Sequence, residues 1–166
     1  MPVHDGRAET IVRIRTVCFD LDGTLVIGTA DAHLGRALGF MEDIVEWDRR
    51  YVAGEMTARE FAEKDAGHYR GRRRADMVQI LKDTPVIAGI RETIARLHSE
   101  KMFLMVGTLA WAFAAEHFQK EYGFDATNGC GMGEDSSGAF DGVISNHFDE
   151  YDKASWVEEL CGKRGI

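Results

Sequence analysis

Apolar residues fall in short stretches along this chain, and the period of those stretches changes from segment to segment. The first, from about Ile11 to Asp20, reads as a strand. Its Ile/Val/Arg start alternates, as a half-exposed strand does, and its Val17-Cys18-Phe19 end is continuously apolar, as a buried one is. From about Ile27 to Thr84 the period becomes helical. Ala32, Leu34, Ala37 and Leu38 mark one short helix, and Ile44, Val45, Trp47 and Tyr51 a second. Thr57-Ala58-Arg59-Glu60 is a capping-box pattern that starts a third, and Val78, Ile80 and Leu81 belong to a fourth. Few of these helices are long enough to stand alone, so they must bury their apolar stripes on one another. Pro85 to Gly89 marks a return. Ile90, Ile94 and Leu97 then form the core face of a helix ending near Lys101, and Met102 to Val106 is a second buried strand ending at Gly107-Thr108. Trp111, Ala114, Ala115, Phe118 and Tyr122 line the next helix, with Gly123 as its stop. Asn128 to Ile144 reads as strands around a loop at Gly138, and Lys153 to Cys161 as a final helix. Strand, helical insert, helix, strand, helix is the rhythm of an α/β protein built on a parallel sheet.

With 166 residues, 45% hydrophobic and 29% charged, the chain can bury one core and a small appended one. A net charge of −8 argues against nucleic acid or a membrane surface as partner, because both are polyanionic. Cys18, Cys130 and Cys161 include no Cys-x-x-Cys pair, and the six histidines form no ligand cluster, so neither zinc nor a redox pair is indicated. Met1 to Thr10 is polar and no run approaches 18 apolar residues, which makes a reduced cytoplasmic setting the expectation. The Arg70-Gly71-Arg72-Arg73-Arg74 run is expected to be a solvated face, and Trp47, Trp111 and Trp156 to be packing residues.

The candidate chemistry starts where the first strand breaks. Asp20 and Asp22 are one residue apart, followed by Gly23-Thr24. In a strand, such residues point to one side, and open α/β sheets bind ligands at the carboxyl ends of their strands. Two like charges this close call for a cation between them, a shared proton, or both, and an oxygen-only donor set favours Mg²⁺.

The string Val17-Cys18-Phe19-Asp20-Leu21-Asp22-Gly23-Thr24-Leu25-Val26 closely resembles the first motif of the haloacid dehalogenase-like (HAD) phosphohydrolases. That resemblance implies a Rossmann-like core, with Asp20 as nucleophile, Asp22 as general acid/base, and Mg²⁺ held at both. It also gives Thr108 a role in holding the transferred phosphate, with Gly107 as the rival alignment offering only a backbone N–H. Helix capping is an equally good role for Thr108. Lys153 resembles the family's third motif, and Gly138-Ala139-Phe140-Asp141-Gly142-Val143 the hairpin that precedes it in phosphoserine-phosphatase-like members. On this reading residues 1–26 and 85–166 form the core, and 27–84 a helical C1-type cap in which Gly54-Glu55-Met56 resembles the start of a cap helix.

Two departures bear on function. The glutamate and arginine with which phosphoserine phosphatases hold the amino acid are not evident in Ile27-Gly28-Thr29-Ala30 or Ala62-Glu63-Lys64-Asp65. The family's fourth motif, which supplies further carboxylates to Mg²⁺, is expected about twenty residues beyond Lys153, past Ile166; Gly133-Glu134-Asp135 lies before the lysine and does not serve. The core is thus expected to be C-terminally incomplete, its first strand an uncovered edge at which a homodimer could form. The expected activity is Mg²⁺-dependent hydrolysis of a small phosphomonoester through an aspartyl-phosphate. The alternatives are a phosphomutase or phosphotransferase, or a truncated, non-catalytic domain that binds a phosphorylated ligand or a protein.

Overall fold

A computed structural model describes residues 14–166. Along the chain the elements are β1 (Thr16–Phe19), α1 (Ala30–Leu38), α2 (Met41–Val52), α3 (Ala58–Tyr69), α4 (Arg74–Leu81), α5 (Ile90–Ser99), β2 (Phe103–Trp111), α6 (Ala112–Tyr122), β3 (Ala126–Glu134), β4 (Phe140–Asn146) and α7 (Glu150–Arg164). The expected start of the first strand at Ile11 lies outside the described residues.

The strands form one sheet in the order β1-β2-β3-β4. β1 runs parallel to β2, with Phe19 opposite Val106, and β2 parallel to β3; β4 returns antiparallel to β3. The α/β class is as expected, with a parallel core of three strands and a hairpin strand added. Among the described residues β1 pairs on one side only, with β2. The helices expected in the insert are present as α1 to α4. α3 begins with a complete capping box: the Thr57 hydroxyl accepts the Glu60 N–H at 3.1 Å, and the Glu60 carboxylate accepts the Thr57 N–H at 2.8 Å. α6 ends at Gly123, whose φ of 82° is the left-handed conformation that glycine takes most readily.

β2 runs further than its sequence pattern predicts. It continues through Gly107-Thr108 to Trp111, and only then turns into α6. Ridges from both faces meet this strand: Leu104, Met105 and Val106 are fully buried, and Ala110 and Trp111 nearly so. Tyr69 of α3 packs edge-on against Trp111, Phe113 and Phe140, joining insert and sheet through one aromatic cluster.

The arginine run is not simply solvated. Its backbone pairs with the β3–β4 hairpin, through Gly71 N–H to the Phe140 carbonyl (2.8 Å), Phe140 N–H to Arg72 (2.9 Å) and Arg74 N–H to Gly138 (3.0 Å). The Arg74 guanidinium bridges Glu116 and Glu134, the latter at 2.9 Å. Residues that look like a charged surface in one dimension therefore tie the helical segment to the hairpin.

Candidate active site

β1 ends at Phe19, one residue before the first carboxylate. Asp20 and Asp22 are consequently placed by a turn rather than by the alternation of a strand. The Leu21 carbonyl organises that turn, accepting the N–H groups of Thr24, Leu25 and Val26 at 3.2, 2.8 and 3.1 Å. Leu21 and Val26 are fully buried, which anchors the turn in the core.

Asp20 Oδ1 accepts the Leu21 N–H at 2.7 Å, and Oδ2 accepts a hydrogen bond from Lys153 Nζ at 2.8 Å. The two residues are 133 positions apart in sequence, so only tertiary structure brings them together. Lys153 does not open its helix as expected; α7 starts three residues earlier. The Asp149 side chain caps it by accepting the N–H groups of Tyr151 and Asp152, which fixes the turn that carries Lys153.

Asp22 sits differently. Its Oδ1 accepts the N–H of Ala30, the first residue of α1, at 2.9 Å. Burial drives its pKa up from 3.8 to about 6. The Ala30 hydrogen bond and Lys153 oppose that rise, and the Asp20 charge adds to it. A carboxyl poised near 6 is suited to carry a proton at one stage of a reaction and release it at another. The neighbouring Asp20 is partly exposed and paired with the Lys153 ammonium.

Of the two alignments for the phosphate-binding position, Gly107 is the one beside the lysine. A Cβ at Gly107 would lie 3.2 Å from Lys153 Cγ and from Cys18 Sγ, and 3.3 Å from Trp156. The absence of a side chain is what lets α7 approach β2 here. Thr108 is buried, with its hydroxyl accepting the Ala110 N–H at 3.1 Å. That bond lies within the end of β2, so the cap expected at the start of the next helix is not what the hydroxyl makes.

A cavity of about 380 Å³ opens beside Asp22, walled by α1, α2 and α3 on one side and by the end of β2, Cys130 of β3 and His147-Phe148 on the other. Two residues that sequence reasoning passed over lie in its wall, Asp31 of α1 and Asp65 of α3. Trp111 Nε1–H donates to Asp65 Oδ2 at 2.6 Å, while Asp65 Oδ1 and Asp31 Oδ1 are buried without a hydrogen-bond partner among the described residues. Burial raises Asp65 from 3.8 to about 7; it also raises Asp31 strongly, with further repulsion from Asp65 and Asp22. The signal for Asp65 was present in the sequence. It occupies the stripe of α3 that otherwise holds Phe61, Ala62, Ala66 and Tyr69, a position where an unpaired acid is rare.

For Mg²⁺, the available donors are the Asp20 carboxylate and the main-chain carbonyl of Asp22. This ion is commonly held by one or two carboxylates, with water and substrate phosphate completing its shell, so the donor set fits. Among the described residues no group of three or more His, Cys, Asp or Glu is arranged to hold a metal by itself.

Comparison with known proteins bears on this geometry. No protein-family model matches the sequence. The chain is similar in structure to a HAD family hydrolase from Salmonella enterica serovar Typhi, with a TM-score of 0.82 at 13% identity over 90% of this chain and 51% of that one. The fold is that of the HAD hydrolases. A phosphoserine phosphatase solved as a phospho-aspartyl intermediate analogue superposes with a TM-score of 0.78 at 18% identity, covering 93% of this chain and 74% of that one. In sequence, the chain is 24% identical over 153 residues to a phosphoserine phosphatase of Archaeoglobus fulgidus, a match covering 92% of this chain and 44% of the relative. The chain thus spans less than half the length of that relative. No helix among the described residues is long and apolar enough to cross a membrane.

Proposed function

We propose that this chain is the catalytic part of a Mg²⁺-dependent phosphomonoester hydrolase that works through an aspartyl-phosphate on Asp20. The observation that carries the reading is the 2.8 Å contact between Lys153 Nζ and Asp20 Oδ2, beside an Asp22 held near pKa 6. In this mechanism Asp20 attacks phosphorus and the ester oxygen leaves with a proton from Asp22. Asp22, now ionised, takes a proton from the water that then attacks the phosphoryl group, and Asp20 is released. Lys153 offsets charge on the phosphoryl oxygens, and backbone N–H groups at Gly107 and Thr108 are suited to orient them. Mg²⁺ at Asp20 and Asp22 would supply charge balance for the incoming phosphate.

Residues 1–26 and 85–166 act in this proposal as the core, and 27–84 as the cap that selects a small phosphorylated substrate. A reduced cytoplasmic setting is part of this proposal, in keeping with the three free cysteines. Among the described residues β1 pairs on one side only, which supports association through that edge, with a second copy as the proposed partner.

The test is Asp20→Asn, assayed by phosphate release with Mg²⁺. Turnover is expected to fall by about 10³-fold or more, as for loss of a covalent nucleophile; a variant retaining near wild-type rate would remove Asp20 from the mechanism. A second reading, a domain that binds a phosphorylated ligand without turning it over, is favoured by the small set of metal-holding carboxylates. Binding of a phosphomonoester that depends on Lys153, with no release of phosphate, would select it.

A further inference from the structure

We propose that this site takes phosphomonoesters of apolar, uncharged alcohols and turns away those with a second negative charge, phosphorylated hydroxy acids and amino acids among them. This rests on the phosphate-binding reading of Asp20 and Lys153, and adds to it the chemistry of the body behind the phosphate.

Three observations converge. The first is the charge of the cavity wall. Asp22, Asp31, Asp48 and Asp65 all line it, and among the described residues no lysine or arginine does. The lysine and arginine side chains of α2 and α3 are engaged elsewhere. Arg49 pairs with Glu46 and Arg59 with Glu63, both at 2.9 Å. Arg50 lines a separate hollow beside Glu60 and Glu63, and Lys64 lies over the Trp47 ring. His147 is the one basic side chain in the wall, and its Nε2 faces Asp149 at 3.8 Å. Lys153 is held by Asp20, so its charge serves the phosphate end.

The second observation is how the wall treats its own acids. Burial raises both Asp31 and Asp65, and the charges of Asp65 and Asp22 push Asp31 further. A surrounding that drives its own carboxyls towards the neutral form acts in the same way on a ligand carboxylate, which must leave water with no cation to meet it. The argument holds for either protonation state of the wall. An ionised acid repels an anion, and a protonated one carries no positive charge.

Thirdly, the rest of the cavity is largely apolar, with Ile44, Phe61, Leu109 and Phe148 in its wall, and its volume of about 380 Å³ suits a small organic body. An aliphatic or aromatic group gains by leaving water for such a space. Selection is therefore two-sided: burial favours the apolar body, and uncompensated negative charge rejects the acid.

The test is calorimetric binding to the whole chain without added metal, so that no turnover accompanies it. p-Tolyl phosphate is set against p-carboxyphenyl phosphate, which has the same ring and a second charge, and against glycerol phosphate, whose body is neutral but polar. p-Cresol is set against p-hydroxybenzoate as the same charge contrast without phosphate. The uncharged aromatic member is expected to bind about tenfold or more tightly in each comparison. In Asp48→Lys, an exchange at an exposed position of α2, the penalty on the carboxylate should shrink by about threefold or more. Equal affinity within any of these comparisons, failure of p-cresol to bind, or a penalty untouched by Asp48→Lys overturns the proposal. A preference for p-cresol over p-hydroxybenzoate with no phosphate ester bound upholds the selection and overturns the phosphate reading alone. Phosphate esters that bind through Lys153 without discrimination overturn the selection alone.

Discussion

Two pairs of aspartates flank the same cavity, and they handle their charge in opposite ways. Asp20 and Asp22 sit on a turn at the edge of the sheet, where Lys153 and backbone N–H groups answer them. Asp31 and Asp65 sit on helices, with the Trp111 indole N–H on Asp65 and no ion-pair partner among the described residues. The first pair finds its hydrogen-bond partners among the described residues. The second keeps two buried carboxylate oxygens without a hydrogen-bond partner among the described residues, which costs stability.

The largest effect that separates the two pairs should come from Lys153. Lys153→Ala removes the ammonium facing Asp20 and should lower turnover by about 10²- to 10³-fold, the usual loss when a transition-state charge partner is removed. Steady-state phosphate release with Mg²⁺ checks this; an unchanged rate would remove Lys153 from the charge balance at Asp20.

A pH dependence should separate them next. Asp65 has its carboxyl raised from 3.8 to about 7, so the folded chain keeps a proton that the unfolded chain releases in that window. Protons bound by the folded state then exceed those bound by the unfolded state, and stability falls as pH rises from about 4 to about 7. The loss from this one group should be roughly 1–4 kcal/mol by pH 8. Asp65→Asn keeps an acceptor for Trp111 and removes the titration, so it should flatten the pH profile and be the more stable protein at pH 8. Urea unfolding at pH 5 and pH 8 measures this; equal slopes in both proteins would show that burial of Asp65 carries no such cost.

The smallest effect should come from the helix that presents Asp65. Thr57→Ala removes half of the capping box of α3 and should cost about 1 kcal/mol, seen as a lower melting temperature. It should leave the turn at Asp20 unaltered, so substrate-independent Mg²⁺ binding should be unchanged. A stability equal to wild type would show that tertiary packing alone holds α3.

The contrast also explains what could be read in the chain beforehand. The α/β class, the four helices of the insert and the capping box at Thr57 follow from local periodicity, and they are present. Asp20 and Asp22 stand out because two acids follow an apolar run, and Lys153 because of the hairpin before it. The end of β2 was not legible, since Gly107-Thr108 looks like a stop and only pairing with β3, with Trp111 opposite Cys130, carries the strand onward. The same holds for Asp31 and Asp65. An acid on a short helix reads as a solvated residue until the fold supplies Trp111 and the cavity wall around it. Arg74 was misjudged for the same reason, its carboxylate partners lying 42 and 60 residues away.

The central claim is that the cation-paired acid, and not the buried pair, receives the phosphoryl group. The direct measurement is acid quenching of the protein during turnover of a phosphomonoester with Mg²⁺, followed by peptide mapping of the phosphorylated residue by mass spectrometry. The account predicts a hydroxylamine-sensitive acyl phosphate on Asp20, absent from Asp20→Asn and still formed in Asp65→Asn. Turnover without any modification at Asp20, or with the phosphoryl group on Asp31, Asp65 or another residue, would contradict it.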